Sequence, residues 1–304
     1  MNNIIATEWR SVDLLPPPSV YRWDQDDTRY YARVTGNAEP GHTVTWYPSV
    51  TTVIRDTSPM PAHLLKWYAD KGLAEATAVR DEAAEYGTLF HEYAGHLITG
   101  GSIEGDHFAT LPIRLQKDLA ALITWAQEYN VRPLASEMLL VSESLRMAGT
   151  VDLVCEMDHV EKSGDRTRKI AVVDYKTSSG LYSSHELQVN IYRTMWNEIY
   201  DASTIGEHRK HASAAILWRP KDWRKSPTWE MKDVAGQDAF PEINAMAKLW
   251  HTRNPDWSPK TRQTIQFGDS DGPSGAAVGL NSTPTLASVE PVEVIINKHI
   301  EVTR

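Results

Sequence analysis

The stretch AGTVDLVCEMDHVEKSGDRTRKIAVVDYKTSS (148–179) decides how this chain folds. Its two flanks, AGTVDLVCEMD (148–158) and RKIAVVDYKTS (168–178), are rich in apolar and β-branched residues, and KSGDR (162–166) between them has the composition of a hairpin turn. Two antiparallel strands are predicted. Each carries a carboxylate among apolar neighbours, Asp152 in the first and Asp174 in the second. A carboxylate in a buried strand is costly unless it is paired, hydrogen-bonded or metal-bound. Two of them on pairing strands can converge on one hard cation such as Mg2+, which takes oxygen ligands and keeps several waters. Lys176 follows Asp174 by two residues, so the strand period of two points it to the same face. There it can orient a water or neutralise charge in phosphoryl transfer. A D-x-K pair alone is common, and a structural ion pair is the plain alternative.

Outward from the hairpin, LASEMLLVSES (134–144) reads as a third strand, antiparallel to the first flank. SHELQVNIYRTMWNEIY (184–200) is helical and SAAILWRP (213–220) a buried strand. Upstream, residues 62–100 have helical periodicity, with a break near Gly72 and Gly100-Gly101 at the close; another helix fits 111–130. VYRW (20–23) and RYYARV (29–34) alternate as short strands, and TVTWYPSVTTVI (43–54) leads into helical sequence. GQDAFPEINAMAKLWHTR (236–253) is a last helix with Pro241 near its start. The order of helices, three strands, a helix and a strand fits an α/β core: a mixed central sheet flanked by helices. Residues 254–290, rich in Pro, Ser, Gly, Thr and Asp, read as a flexible linker, and VEVIINKHIEV (292–302) as one more strand.

The helices add candidate site residues. In YGTLFHEYAGH, Gly87 and His91 are four apart and share a helix face. Gly87 allows close approach beside the imidazole, and His91 can offer a nitrogen to the metal. A single helical His is more often structural, so His91 gains weight only from its company. HEYAGH also invites comparison with the zinc-protease pattern H-E-x-x-H, but His91 and His96 are five apart, about 140° around the helix, and cannot easily share one ion. Gln188 and Tyr192 are again four apart, an amide and a phenol suited to a phosphate, a base or a DNA strand.

The formal net charge of −9 argues against nucleic-acid binding unless a local basic rim exists. The candidates for one are Arg166, Arg168 and Lys169, then Arg219, Lys221, Arg224 and Lys225, each group equally readable as solvated surface. Eleven Trp are many; most are expected in the core. The one cysteine, Cys155, excludes an intrachain disulfide and any four-cysteine zinc or iron–sulfur site, and points to a cytoplasmic setting. The first residues lack a continuous apolar run, so no secretory signal is expected, and no stretch approaches the ~20 apolar residues that span a bilayer.

Taken in order, G-x-x-x-H (87–91), Glu137, G-T-V-D (149–152), D-Y-K (174–176) and Q-x-x-x-Y (188–192) resemble the RecB-type nucleases of the PD-(D/E)XK superfamily. Relatives of that type include mitochondrial genome-maintenance and phage exonucleases. YPSVTTVI (47–54) is similar to the opening of those members, and the resemblance covers roughly residues 45–220. Each motif is weak alone; their order and spacing are more specific. The resemblance implies that His91, Asp152, Asp174 and the backbone carbonyl of Tyr175 ligate Mg2+ or Mn2+, that Lys176 assists the attacking water, and that Gln188 and Tyr192 position DNA. Glu137 would join the metal ligands, with Glu143 competing for that role. Ser49, Thr51 and Thr52 would contact phosphate at a helix start, or simply cap that helix. Val151 stands where the family name has Pro. With a single cysteine, the iron–sulfur branch is excluded. The expected activity is a DNA exonuclease in recombination, repair or replication, in a bacteriophage setting, working with a recombination or replication protein and no membrane. The alternatives are a non-cleaving binding module and a structure-specific endonuclease. The expected division is a β-rich extension at 1–45, a nuclease domain at 46–253, the linker at 254–290 and a terminal strand at 291–304.

Overall fold

The computed structural model describes residues 20–25, 28–35, 43–160, 164–199, 211–225, 227–235 and 239–260. The C-terminal strand and all but the first residues of the linker lie outside them. A five-stranded mixed sheet forms the centre, in the order β4 (Arg132–Ser142), β5 (Met147–Val160), β6 (Arg166–Tyr175), β7 (Ala214–Pro220) and β8 (Trp229–Asp233). β4, β5 and β6 form an antiparallel meander, as the hairpin reading predicts. β6 and β7 are parallel, and their crossover carries helix α6 (Ser183–Ile199). β8, short and largely exposed, was not foreseen; WEMKD has little apolar alternation to mark it.

Helices cover both faces of the sheet. On one side lie α3 (Leu73–Ile98) and α5 (Ile113–Glu128). Leu115, Leu119, Leu122 and Ala126 of α5 recur at helical spacing and bury against Phe90, Ala94 and Ile98 of α3 and against Cys155, Ala171 and Val173 of the sheet. On the other side α1 (Val50–Thr57), α6 and α7 (Phe240–Arg253) pack on Val154, Val172 and Leu217. Trp125, Trp196, Trp218 and Trp250 are fully buried, so these four serve the core. Helix α2 (Ala62–Lys71) meets α3 at Gly72, whose φ of 80° makes the predicted break. A six-residue helix, α4 (Gly105–Thr110), precedes α5. Among the described residues no helix is long and apolar enough to cross a membrane.

A second, three-stranded sheet is formed by β1 (Val20–Gln25), β2 (Thr28–Thr35) and β3 (Thr43–Pro48). The expected boundary at 45/46 therefore falls inside β3. This sheet docks through Val20, Tyr31 and Tyr47 onto Val141 and Ala148, and the Tyr31 hydroxyl lies 3.2 Å from Thr150 Oγ1.

Candidate active site

β5 and β6 stay paired as far as Leu153 opposite Val173, and then part. The next residues, where the ladder would continue, are Asp152 and Asp174. Asp152 closes the fork with its side chain: Oδ2 accepts a hydrogen bond from the Tyr175 backbone N–H at 2.7 Å. Its Oδ1 lies 3.2 Å from His91 Nδ1, which α3 brings over the end of the sheet. On the neighbouring strand, Ser136 pairs with Leu153 and Met138 with Val151, which leaves Glu137 opposite Asp152. Glu137 holds a left-handed φ of 49°, a conformation that costs a non-glycine residue about 1–3 kcal/mol and that clusters at functional sites. Its Oε1 stands 3.9 Å from His91 Nδ1. Ligand atoms of His91, Glu137 and Asp152 all lie within 4.8 Å of one another.

Asp174 enters from the other strand. It is 1 % exposed, its Nearest cation is Lys176 Nζ at 2.6 Å from Oδ2, and neither carboxylate oxygen makes a well-formed hydrogen bond. Lys176 Nζ also donates to Gln188 Oε1 at 3.1 Å, and Gln188 Nε2 donates to the Tyr192 hydroxyl at 3.3 Å. The Q-x-x-x-Y pair of α6 thus holds the lysine. Tyr192 itself is buried, and its ring lies on Gly149, where a Cβ would come within 2.5 Å of Cε1. The glycine of G-T-V-D is needed because the tyrosine occupies that space.

The charges are set by this crowding. Burial works against Asp152 ionisation, yet His91, Lys176 and the Tyr175 N–H outweigh it and hold its carboxyl below the usual range. Asp174 goes the other way: burial, and the Asp152 charge beside it, push it up to about 6 against the pull of Lys176. Burial and Asp152 raise Glu137 to about 8, opposed by His91, Arg22 and Arg29. Burial disfavours a charged His91, but Asp152, Glu137 and Asp174 overcome it and raise the imidazole to about 9. The centre crowds three carboxyl groups and an imidazole, and two of the carboxyls hold protons more tightly than usual. A divalent ion fits it: one imidazole and several carboxylates make a donor set suited to Mg2+ or Mn2+, and the buried Asp174 oxygens have no better partner.

Other candidates fall elsewhere. Ser49 Oγ accepts from the Thr52 N–H at 3.0 Å and lies 3.0 Å from Thr51 Oγ1; Ser49 and Thr52 are buried, so the capping geometry is the one realised. Glu143 pairs with Arg33 and with the Tyr47 hydroxyl, away from the centre. Arg166, Arg168 and Lys169 sit at the opposite end of β6 and form no rim. Arg219 is close: its Nη1 donates to Ser178 O at 2.6 Å and holds the loop after Lys176. One neighbour was missed. His185 is kept neutral by burial and by Lys176, its pKa lowered to about 4. Its signal was present, three residues before Gln188 on one helix face.

The profile of the family described as "PD-(D/E)XK nuclease superfamily" matches residues 64–264. No curated protein matches this chain significantly. Among solved structures, that of a protein designated SSO0001 is similar at 14% identity with a TM-score of 0.33, covering 69% of this chain and 77% of the other.

Proposed function

This chain belongs to the PD-(D/E)XK nuclease superfamily, and from that premise we propose that it is a Mg2+- or Mn2+-dependent deoxyribonuclease of the RecB type, acting as an exonuclease on DNA ends or single strands. The observation that carries the reading is the fork between β5 and β6, where Asp152 and Asp174 lie beside His91 and Lys176 and the buried Asp174 carboxylate has the Lys176 ammonium, 2.6 Å from Oδ2, as its one close partner among the described residues. His91, Asp152, Asp174 and Glu137 would hold the ion, with the Tyr175 carbonyl beside them. When bound, the ion supplies Lewis acidity toward a phosphodiester and a water. The protein's own groups do the rest. The Tyr175 N–H fixes one Asp152 oxygen so that the other faces His91. Gln188, itself held by Tyr192, keeps the Lys176 ammonium at the mouth of the site, where it meets the charge that builds on a phosphoryl oxygen. In this reading the β-rich extension is an addition docked on the nuclease domain, and the setting is cytoplasmic DNA recombination, repair or replication in a bacteriophage, with a recombination or replication protein as partner.

The test is digestion of end-labelled linear single- and double-stranded DNA with Mg2+ or Mn2+, beside Lys176→Ala and beside circular single strands. Metal-dependent degradation of linear DNA alone, lost in the variant, supports the exonuclease. Cutting of circles makes it an endonuclease. The net charge of −9 opposes phosphate contacts and favours a second reading, a non-cleaving module that holds a protein partner on this fold; a chain that neither cuts nor binds DNA would support that instead.

A further inference from the structure

A buried carboxylate outside the metal centre has no part in the chemistry above. Asp118 of α5 is 3 % exposed and accepts a hydrogen bond from the Tyr86 hydroxyl of α3 at 2.6 Å. That bond fixes the Tyr86 ring, and the Arg114 guanidinium lies over its face, 3.9 Å from the centroid. A cation on an aromatic face is held flat without using its N–H groups. The other contacts of Arg114 are long: Nε stands 3.5 Å from Asp118 Oδ2, and Nη2 stands 3.4 Å from Thr177 O. A guanidinium has five N–H donors; the Tyr86 and Asp118 side chains and Thr177 O engage some of them, through long contacts among the described residues, and the side chain is 45% exposed, so donors remain open to solvent.

Its place matters. Thr177 follows Lys176 directly, and Gly87, one residue after Tyr86 and one turn before His91, approaches it so closely that a Cβ there would meet Thr177 Oγ1 at 3.3 Å. Arg114 therefore stands on the rim of the metal centre, on the α3–α5 side, flat and with free donors. A planar fork of this kind matches phosphate oxygens two at a time, which an ammonium cannot do. Resting on the nuclease reading above, we propose that Arg114, on its Tyr86–Asp118 support, is a DNA-binding residue that grips a backbone phosphate beside the metal centre. It supplies the basic contact that Arg166 and Arg168, at the far end of β6, do not.

The experiment is binding of a labelled oligodeoxynucleotide, single-stranded and duplex, to the full chain with Ca2+ in place of the catalytic ion, repeated over a salt series. Arg114→Ala is expected to weaken binding roughly tenfold and to reduce the salt dependence by about one phosphate contact, while Mn2+ affinity stays that of the wild type. Arg114→Lys is expected to recover the salt dependence but not the full affinity. Should Arg114→Ala lose its thermal transition, Arg114→Gln, which keeps the stem on the Tyr86 ring, takes its place. Unchanged affinity and salt dependence in the neutral variant overturn the proposal and leave the nuclease reading standing. A lysine variant with the salt dependence of the neutral one also overturns it. A wild-type chain that binds no DNA removes the nuclease reading and this inference together.

Discussion

At its Arg166 end, strand β6 carries charges that each have a partner and lie near water. Arg166 Nη1 donates to Glu128 O at 3.0 Å, Arg168 Nη1 donates to Asn130 O at 2.7 Å and pairs with Asp158 at 3.1 Å, and on the adjoining end of β5 His159 Nε2 meets Asp233 Oδ2 at 2.9 Å. At its Tyr175 end the same strand carries Asp174, buried, with Lys176 as its one close cation and the Asp152 charge beside it, next to the His91, Glu137 and Asp152 cluster. Both ends looked alike as charge in a β-rich sequence. They differ in whether the folded chain completes its own polar groups. Satisfied charges near water add a little to stability and have nothing left to give. An incomplete buried cluster costs stability, and it is at such places that a fold keeps a ligand site.

The largest expected difference between the two ends is in activity. Lys176→Ala should lower the rate of DNA cleavage by ~10²–10³-fold or more, the scale of losing one preorganised charge at a reacting phosphate, whereas Arg168→Ala should cleave as the wild type does; initial rates on end-labelled DNA decide this. Next is stability without metal. The Asp174 carboxyl is raised to about 6 in the fold from an ordinary 3.8, so the folded state resists its ionisation. The sign follows: the metal-free protein should lose stability as pH rises through that window, on the order of 2–3 kcal/mol from this group. Asp174→Asn should remove that loss and melt higher than the wild type at neutral pH, measured by denaturant unfolding at several pH values. A lower melting temperature for the variant would count against a strained, metal-awaiting carboxylate.

A smaller effect reaches the near end indirectly. Gly149→Ala should displace the Tyr192 ring and loosen Gln188 and Lys176 behind it, costing about 1–3 kcal/mol as overpacking does and lowering cleavage without abolishing Mn2+ binding. Wild-type kinetics in this variant would break the chain from Tyr192 to Lys176. The smallest effect belongs to the far end: Arg168→Ala should cost about 1 kcal/mol, the worth of a partly exposed ion pair with a backbone bond, by the same unfolding assay.

Much of this was legible in the sequence because it rests on local pattern. The strands at 148–158 and 168–178 alternate and flank a turn, and the break at Gly72 is a residue type that tolerates positive φ. Asp152 and Asp174 stood out because carboxylates in apolar strands need partners, Lys176 because the strand period puts it on the face of Asp174, and His91 only through its company. What was not legible depends on three-dimensional neighbours. Nothing local says that Tyr192 lies on Gly149 rather than in the cleft, that Glu137 takes a left-handed backbone opposite Asp152, or that Arg166 and Arg168 complete Asp158 and Glu156 instead of lining a rim. Tyr86, Arg114 and Asp118 sit on two helices, and only packing joins them.

The contrast between the two ends of β6 is tested most directly by thermal unfolding of wild type and Asp174→Asn with increasing Mn2+. The wild type should gain stability with the ion, about 2.7 kcal/mol at a hundredfold excess over its dissociation constant. The variant should start higher and gain little or nothing. Equal gains in both proteins, or no gain in the wild type, would contradict a metal centre built on Asp174.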